Sequence, residues 1–125
     1  MIVGIGCDIV DHVVTESLGW PSLPKKIQRI FTELELSLLT EINKTKFLSG
    51  RYAAKEAVLK SIGTGIEDGF SLKEIEILKD DSGRPQVKVT GNLKQIIERL
   101  KITNWHISIS HTETSSIAFV IAESL

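Results

Sequence analysis

Residues Phe47 to Gly65 read FLSGRYAAKEAVLKSIGTG, and the rest of the chain is best understood outward from them. On a helix of about 3.6 residues per turn, Leu48, Tyr52, Val58, Leu59 and Ile62 make an apolar sector, while Ser49, Ala53, Glu56 and Lys60 share one flank. The small residues leave room beside the Glu56 carboxylate. Taken alone, Glu56 and Lys60 are an i,i+4 surface pair worth about 0.2–0.5 kcal/mol. Followed by a glycine-rich turn, they suit a metal and a phosphate. Gly63 is placed to end the helix, and Gly63-Thr64-Gly65 offers the backbone freedom that a closely approaching phosphate needs. Arg51 and Lys55 interrupt the apolar sector. Either their stems snorkel to water, or they face an anion or another subunit.

Upstream, Met1 to Val10 alternates as a strand, with Val3, Ile5, Cys7 and Ile9 on one face and Gly4, Gly6 and Asp8 on the other. The glycines clear space next to Asp8, which reads either as a site residue or as the polar start of a turn. Trp20-Pro21 and Leu23-Pro24 divide Asp11 to Arg29 into two short helical pieces. Thr32 with Glu35 forms a capping-box signature and predicts a helix from about Glu33 to Ile42, with Asn43 to Lys46 as the link into the long helix.

Downstream, Glu74 to Lys79 and Gln86 to Thr90 alternate around Asp80-Asp81-Ser82-Gly83 and predict a hairpin, with Ile75, Ile77, Val87 and Val89 inward. Asn92 is placed to cap a helix carrying Leu93, Ile96, Ile97 and Leu100 at 3.6-residue spacing. Two strands follow, His106 to Ser110 and Ser116 to Glu123. The second is apolar on both faces, which in so small a domain points to helices on one side and a neighbouring subunit on the other. The expected fold is α+β, a small antiparallel sheet packed with a long central helix and shorter helices. Residues 1–125 form one unit, without repeat, low-complexity run or linker.

The 125 residues are 42% hydrophobic and 25% charged, ordinary values for a folded soluble domain. A net charge of -1 argues against nucleic-acid binding by bulk electrostatics, so an anion site has to come from local groups such as Lys25, Lys26, Arg29, Arg51 and Lys55. The single Cys7 excludes a disulfide framework and reads as a buried, inert thiol in a reducing compartment. No apolar run approaches the roughly 18 residues that span a bilayer, and no basic leader precedes the first apolar residues. A cytoplasmic protein without membrane attachment is the expectation.

In Ser108-Ile109-Ser110-His111, Ile107 and Ile109 share one strand face and Ser108 and Ser110 the other, with His111 at the strand's end. A histidine there is either solvated or a ligand-binding group. One cysteine and three scattered histidines lack zinc-ligand spacing, and no Ser-His-Asp arrangement is evident. The carboxylates of Asp8 and Glu56 suit a hard cation such as Mg²⁺ that keeps waters and borrows phosphate oxygens.

Gly4 to Val10 (GIGCDIV), Phe47 to Gly65, and Ser108 to His111 (SISH) occur in an order and spacing that resembles the holo-[acyl-carrier-protein] synthases, the small bacterial-type members of the 4′-phosphopantetheinyl transferase superfamily. The resemblance covers essentially the whole chain. It implies transfer of the 4′-phosphopantetheine arm of coenzyme A to a serine of apo acyl carrier protein in fatty acid biosynthesis, with release of adenosine 3′,5′-bisphosphate. It further implies that Asp8 and Glu56 bind Mg²⁺, or Mn²⁺, across the coenzyme A pyrophosphate, and that Lys60 adds charge to the same phosphates. His111 then lies near the nucleotide or its phosphates and Arg51 near the 3′-phosphate. Gly63, Thr64 and Gly65 line the coenzyme A site, and Ser82, Gly83 and Pro85 the adenine pocket. Glu56 or a metal-ordered water takes the serine proton. Family members look like homotrimers with active sites at subunit boundaries.

One departure is Val14, where the family usually places an arginine facing the acidic carrier protein. Lys25, Lys26 and Arg29 are then the candidate docking patch. Alternatives are a carrier protein of polyketide or peptide assembly, or a coenzyme A-binding module without catalysis.

Overall fold

The computed structural model describes residues 1–125. The chain runs β1 (Ile2–Asp11), α1 (His12–Ser17), α2 (Pro24–Ile27), α3 (Glu33–Leu36), α4 (Lys44–Ser61), β2 (Ile75–Lys79), β3 (Pro85–Val89), α5 (Gly91–Arg99), β4 (Asn104–His111) and β5 (Ser115–Glu123). The strands make an antiparallel sheet in the order β1-β5-β4 and a separate hairpin, β2-β3. This is the expected α+β arrangement.

As the central strand, β5 has neighbours on both edges, and its two apolar faces have different fates. Ala118, Val120 and Ala122 are fully buried, while Ile117 and Phe119 on the other face are 41% and 43% exposed.

α4 crosses the inner face, and the glycines of β1 set how close it comes. A Cβ on Gly4 would lie 1.7 Å from the Ser61 carbonyl oxygen and one on Gly6 1.8 Å from that of Ala57, so the helix backbone rests directly on the strand. The space the glycines clear is therefore taken by the helix backbone, where the sequence suggested room beside Asp8. The alternation expected in β1 is present, but its glycine face is the interior one. Ile5 and Ile9 are 56% and 62% exposed, and Cys7 lies on the same outer face. The expectation of a buried thiol fails because β1 buries backbone, and its apolar side chains face outward.

α4 is surrounded rather than one-sided. Ala53, Ala54, Ala57, Val58 and Leu59 pack with Ile75, Ile77, Leu93 and Val120 in the main core, and Leu48 joins Trp20, Ile27 and Phe31 in a second cluster. Lys55 does face an anion, but one supplied by its own chain. Its ammonium is fully buried and donates to Glu35 Oε1 at 2.6 Å and to the carbonyls of Ile75, Ile30 and Leu72 at 2.7, 2.9 and 2.9 Å. Glu35 Oε2 accepts from Ile77 N at 2.9 Å. Burial pushes the Lys55 ammonium down from its ordinary pKa, and the Glu35 carboxylate opposes that shift.

The capping box forms: Thr32 Oγ1 accepts from Glu35 N at 3.2 Å and Thr32 N donates to Glu35 Oε1 at 3.0 Å. The helix nevertheless ends at Leu36 and not near Ile42, because Leu38 N and Leu39 N bond the carbonyls three residues back. These tighter turns bring Leu36 and Leu39 onto the Trp20 cluster. Asn43, in the left-handed region at φ 61°, redirects the chain so that α4 starts at Lys44.

The hairpin forms as expected, but the cap of α5 does not. Its N-cap residue is Thr90, and the Glu74 carboxylate accepts from Leu93 N at 3.0 Å, a long-range cap that displaces Asn92 from that role. The two ends of the chain meet at the sheet edge, where the Met1 amine donates to the Ser124 carbonyl at 2.6 Å and Ser124 N to the Met1 carbonyl at 2.8 Å.

Candidate active site

Asp8 sits on the inner face of β1, opposite Ala118, and Glu56 and Lys60 descend from α4 beside it. They line a groove of about 600 Å³ with Tyr52, Val14 and Ile66. Lys60 Nζ donates to Asp8 Oδ1 at 2.8 Å and to the Cys7 carbonyl at 3.2 Å. That bond and charge raise the Lys60 ammonium's pKa.

Glu56 is the unsettled member: its Oε1 is buried without a hydrogen-bond partner. Burial, and next the Asp8 charge, push its carboxyl above the ordinary glutamate range. Burial and the neighbouring Glu56 carboxylate push the Tyr52 phenol up to about 12. A partnerless carboxylate oxygen beside a second carboxylate fits a hard cation, and two protein ligands leave the remaining positions to water and phosphate oxygens. No set of three or more acidic, histidine or cysteine ligands is gathered anywhere in the structure.

The helix end is a Schellman turn, in which Thr64 N bonds the Leu59 carbonyl at 3.0 Å and Gly63 N that of Lys60 at 3.2 Å, with Gly63 at φ 76°. Gly65 is extended, so the left-handed requirement rests on Gly63 alone. Donors at this turn are already engaged: the Asp68 carboxylate accepts from Thr64 Oγ1 at 2.5 Å and Gly65 N at 2.9 Å. Those bonds, led by the threonine, hold Asp68 below its ordinary pKa.

Arg51 and His111 lie elsewhere. Arg51 is five residues before Glu56, about 140° around the helix. It is buried, stacks over Phe47 at 4.5 Å, and has an Nε without a partner. His111 lies against Gly50, where a Cβ would come within 2.7 Å of its Cε1. Burial, and then the charges of His12, Lys46 and Arg51, lower its pKa. The protein thus has an acidic groove on one side of α4 and a basic cluster of Arg51, Lys46 and His111 on another.

The hairpin turn belongs to neither. Asp80 Oδ1 accepts from Ser82 N, Ser82 Oγ and Arg84 N at 2.9, 2.6 and 3.0 Å, and Gly83 takes φ 86°. Pro85 lines a separate cavity of about 510 Å³ with Arg84, Trp105 and His106.

Sequence reasoning missed three features. Tyr52, assigned to the apolar sector, stands one helical turn before Glu56 in the groove. Asp68, three residues after Gly65, was the available signal for an acidic lock on the turn. His12 and Ser116, both buried, bond one another and, through Ser116, His111.

Residues 4–120 match the family described as the 4′-phosphopantetheinyl transferase superfamily. A holo-[acyl-carrier-protein] synthase of Caldicellulosiruptor saccharolyticus is 43% identical over 124 residues, covering 98% of both chains. One from Hamiltonella defensa is 36% identical over 123 residues, again covering 98% of each. Among solved structures, the synthase of Neisseria meningitidis superposes with a TM-score of 0.87 at 34% identity, over 99% of this chain and 100% of that one. The synthase of Bacillus anthracis, solved in complex with coenzyme A (3′,5′-ADP), gives 0.80 at 37% identity over 100% and 99%. Full-length similarity in sequence and fold, around a groove that carries Asp8, Glu56 and Lys60 together, means that the chain belongs to the holo-[acyl-carrier-protein] synthases of the 4′-phosphopantetheinyl transferase superfamily.

Proposed function

We propose that this chain transfers the 4′-phosphopantetheine arm of coenzyme A to a serine of an apo acyl carrier protein in the cytoplasm, serving fatty acid biosynthesis. The carrying observation is the partnerless Glu56 Oε1 beside Asp8, in a groove that also holds Lys60. The serine oxygen forms a bond to the pantetheine-side phosphorus, the bond from that phosphorus to the bridging pyrophosphate oxygen breaks, and adenosine 3′,5′-bisphosphate leaves. Asp8 and Glu56 are the ligands for Mg²⁺, with Mn²⁺ as a substitute, and the ion would offset charge on the leaving phosphate. Lys60 places a further positive charge at the pyrophosphate. Glu56, with its carboxyl pushed upward, is suited to take the serine proton.

Arg51, Lys46 and His111 supply donors for the 3′-phosphate end. Because Arg51 lies about 140° around α4 from Glu56, one coenzyme A is served by the acidic groove of one subunit and the basic cluster of the next. The exposed face of Ile5, Cys7, Ile9, Ile117 and Phe119 supports such an assembly, and we propose a homotrimer. Gly63, Thr64 and Gly65 receive phosphate once Asp68 is displaced, and the turn at Ser82, Gly83 and Pro85 approaches adenine.

Val14, 49% exposed at the rim of the groove, favours a second reading for the partner: a carrier whose docking surface is less acidic than that of fatty-acid synthesis. Mass spectrometry of an apo acyl carrier protein incubated with the protein, coenzyme A and Mg²⁺ tests both. Gain of one phosphopantetheine arm, absent with Glu56→Gln, is the expected result. Gain only on polyketide or peptide carriers would select the second reading, and no gain on any carrier would refute the transfer.

A further inference from the structure

His12 and Ser116 have no part in the transfer just described, yet they are buried to 6% and 1% exposure and bonded in series to His111. His12 Nδ1 lies 3.0 Å from the Glu113 carbonyl oxygen, His12 Nε2 lies 2.8 Å from Ser116 Oγ, and that oxygen lies 2.6 Å from His111 Nδ1. Hydrogen counting settles the direction of this chain. A carbonyl can only accept, so His12 Nδ1 carries a hydrogen. With His12 neutral, its Nε2 holds a lone pair. The one hydroxyl hydrogen of Ser116 must point there. Ser116 then has only lone pairs left for His111, so His111 Nδ1 must donate. The free imidazole of histidine favours the other tautomer, with hydrogen on Nε2.

We propose that His12 and Ser116 are positioning residues that lock His111 in its Nδ1–H tautomer, so that it can donate to a phosphate through Nε2 only as the imidazolium. This rests on the reading that His111 serves the phosphate end of coenzyme A. The groups whose charges act on His111 are His12 of α1 and Lys46 and Arg51 of α4. In the neutral locked state, with His12 neutral as well, the ring offers a lone pair beside the Lys46 and Arg51 cations. Proton uptake at Nε2 supplies a donor without disturbing the bond to Ser116. Ligand binding and proton uptake are thereby coupled through a ring whose other nitrogen is already committed.

The test begins without coenzyme A. Nitrogen-15 NMR of the imidazole side chains at pH 8 should show His111 protonated at Nδ1 and unprotonated at Nε2. Ser116→Ala should return it to Nε2–H. His12→Phe keeps the ring's bulk but frees the Ser116 hydroxyl to donate to His111 Nδ1, and should produce the same reversal while Ser116 remains. A purely structural role would lower stability and leave the tautomer alone. Calorimetry with adenosine 3′,5′-bisphosphate, in buffers of different ionisation enthalpy at pH 8, should show proton uptake by the unaltered protein and less by Ser116→Ala. The proposal is overturned if His111 is Nε2–H in the unaltered protein, or if both folded variants keep Nδ1–H. Should either variant fail to fold, the tautomer of the unaltered protein decides. A locked His111 in a protein that transfers nothing would sink the transfer reading and support the lock.

Discussion

Glu56 carries a buried oxygen that no donor reaches, and the Asp8 charge adds to the cost of ionising it. Function and stability should therefore separate at this residue. Glu56→Gln should abolish transfer while raising the metal-free melting temperature at pH 7 by ~1–3 °C, the scale of a fraction of a kcal/mol in a domain of this size. Differential scanning calorimetry beside the transfer assay checks both. At His111 the sign runs the other way. Its folded pKa is depressed, so its contribution to stability is present above about pH 6.5 and is lost as pH falls through the depressed value. Melts taken from pH 7.5 to 5.5 should show this loss, and His111→Gln should flatten it. The meeting of Asp8, Glu56 and Lys60 was legible because helical spacing and strand position marked them, whereas the place of His111 on another side of α4 was not. Cys7 was misplaced because alternation gives the two faces of a strand without saying which is inside, while Tyr52 packs on the core as expected and lines the groove as well. In β1 the decision lay with Gly4 and Gly6, which bury backbone where side chains were expected to count.

Among elements, the contact between β1 and α4 has no slack. Gly6→Ala would set a methyl 1.8 Å from the Ala57 carbonyl, so the helix must move. The cost should be ~3 kcal/mol or more by denaturant titration, with lost Mg²⁺ response because Asp8 and Glu56 shift apart. The Lys55 ammonium ties α4 to Glu35 and to the carbonyls of two other segments, at Ile30 and at Leu72 and Ile75. Lys55→Met leaves Glu35 buried and uncompensated, and should cost about 3–5 kcal/mol. Adding Glu35→Leu should recover part of it, which denaturant titration of single and double variants would read. This pair was illegible as a pair: the capping box revealed Glu35 at a helix start, and nothing local to it names a lysine twenty residues on. The early stop of α3 has the same origin, since the packing of Leu36 and Leu39 on the Trp20 cluster overrides the continuing helical pattern.

For the whole molecule, the outer face of β1 and β5 carries Ile5, Ile9, Ile117 and Phe119 in the open. The doubly apolar β5 announced such a face in the sequence, while its partner strand became visible only with the register that sets Cys7 opposite Phe119. Phe119→Asp should yield a folded monomer by light scattering, with intact circular dichroism and transfer reduced at least ~100-fold, because the basic cluster of a neighbour is lost. A fully active monomer would refute the shared site.

The handshake between Met1 and Ser124 makes the polypeptide nearly a closed loop. Where the sequence starts is then close to arbitrary for its architecture: a covalent join at that edge, with a cut placed at the exposed turn beside Gly83, would keep every strand neighbour it now has. Two labels fused at Met1 and Leu125 would report from one corner of the molecule, whereas one at the new opening would report from the hairpin.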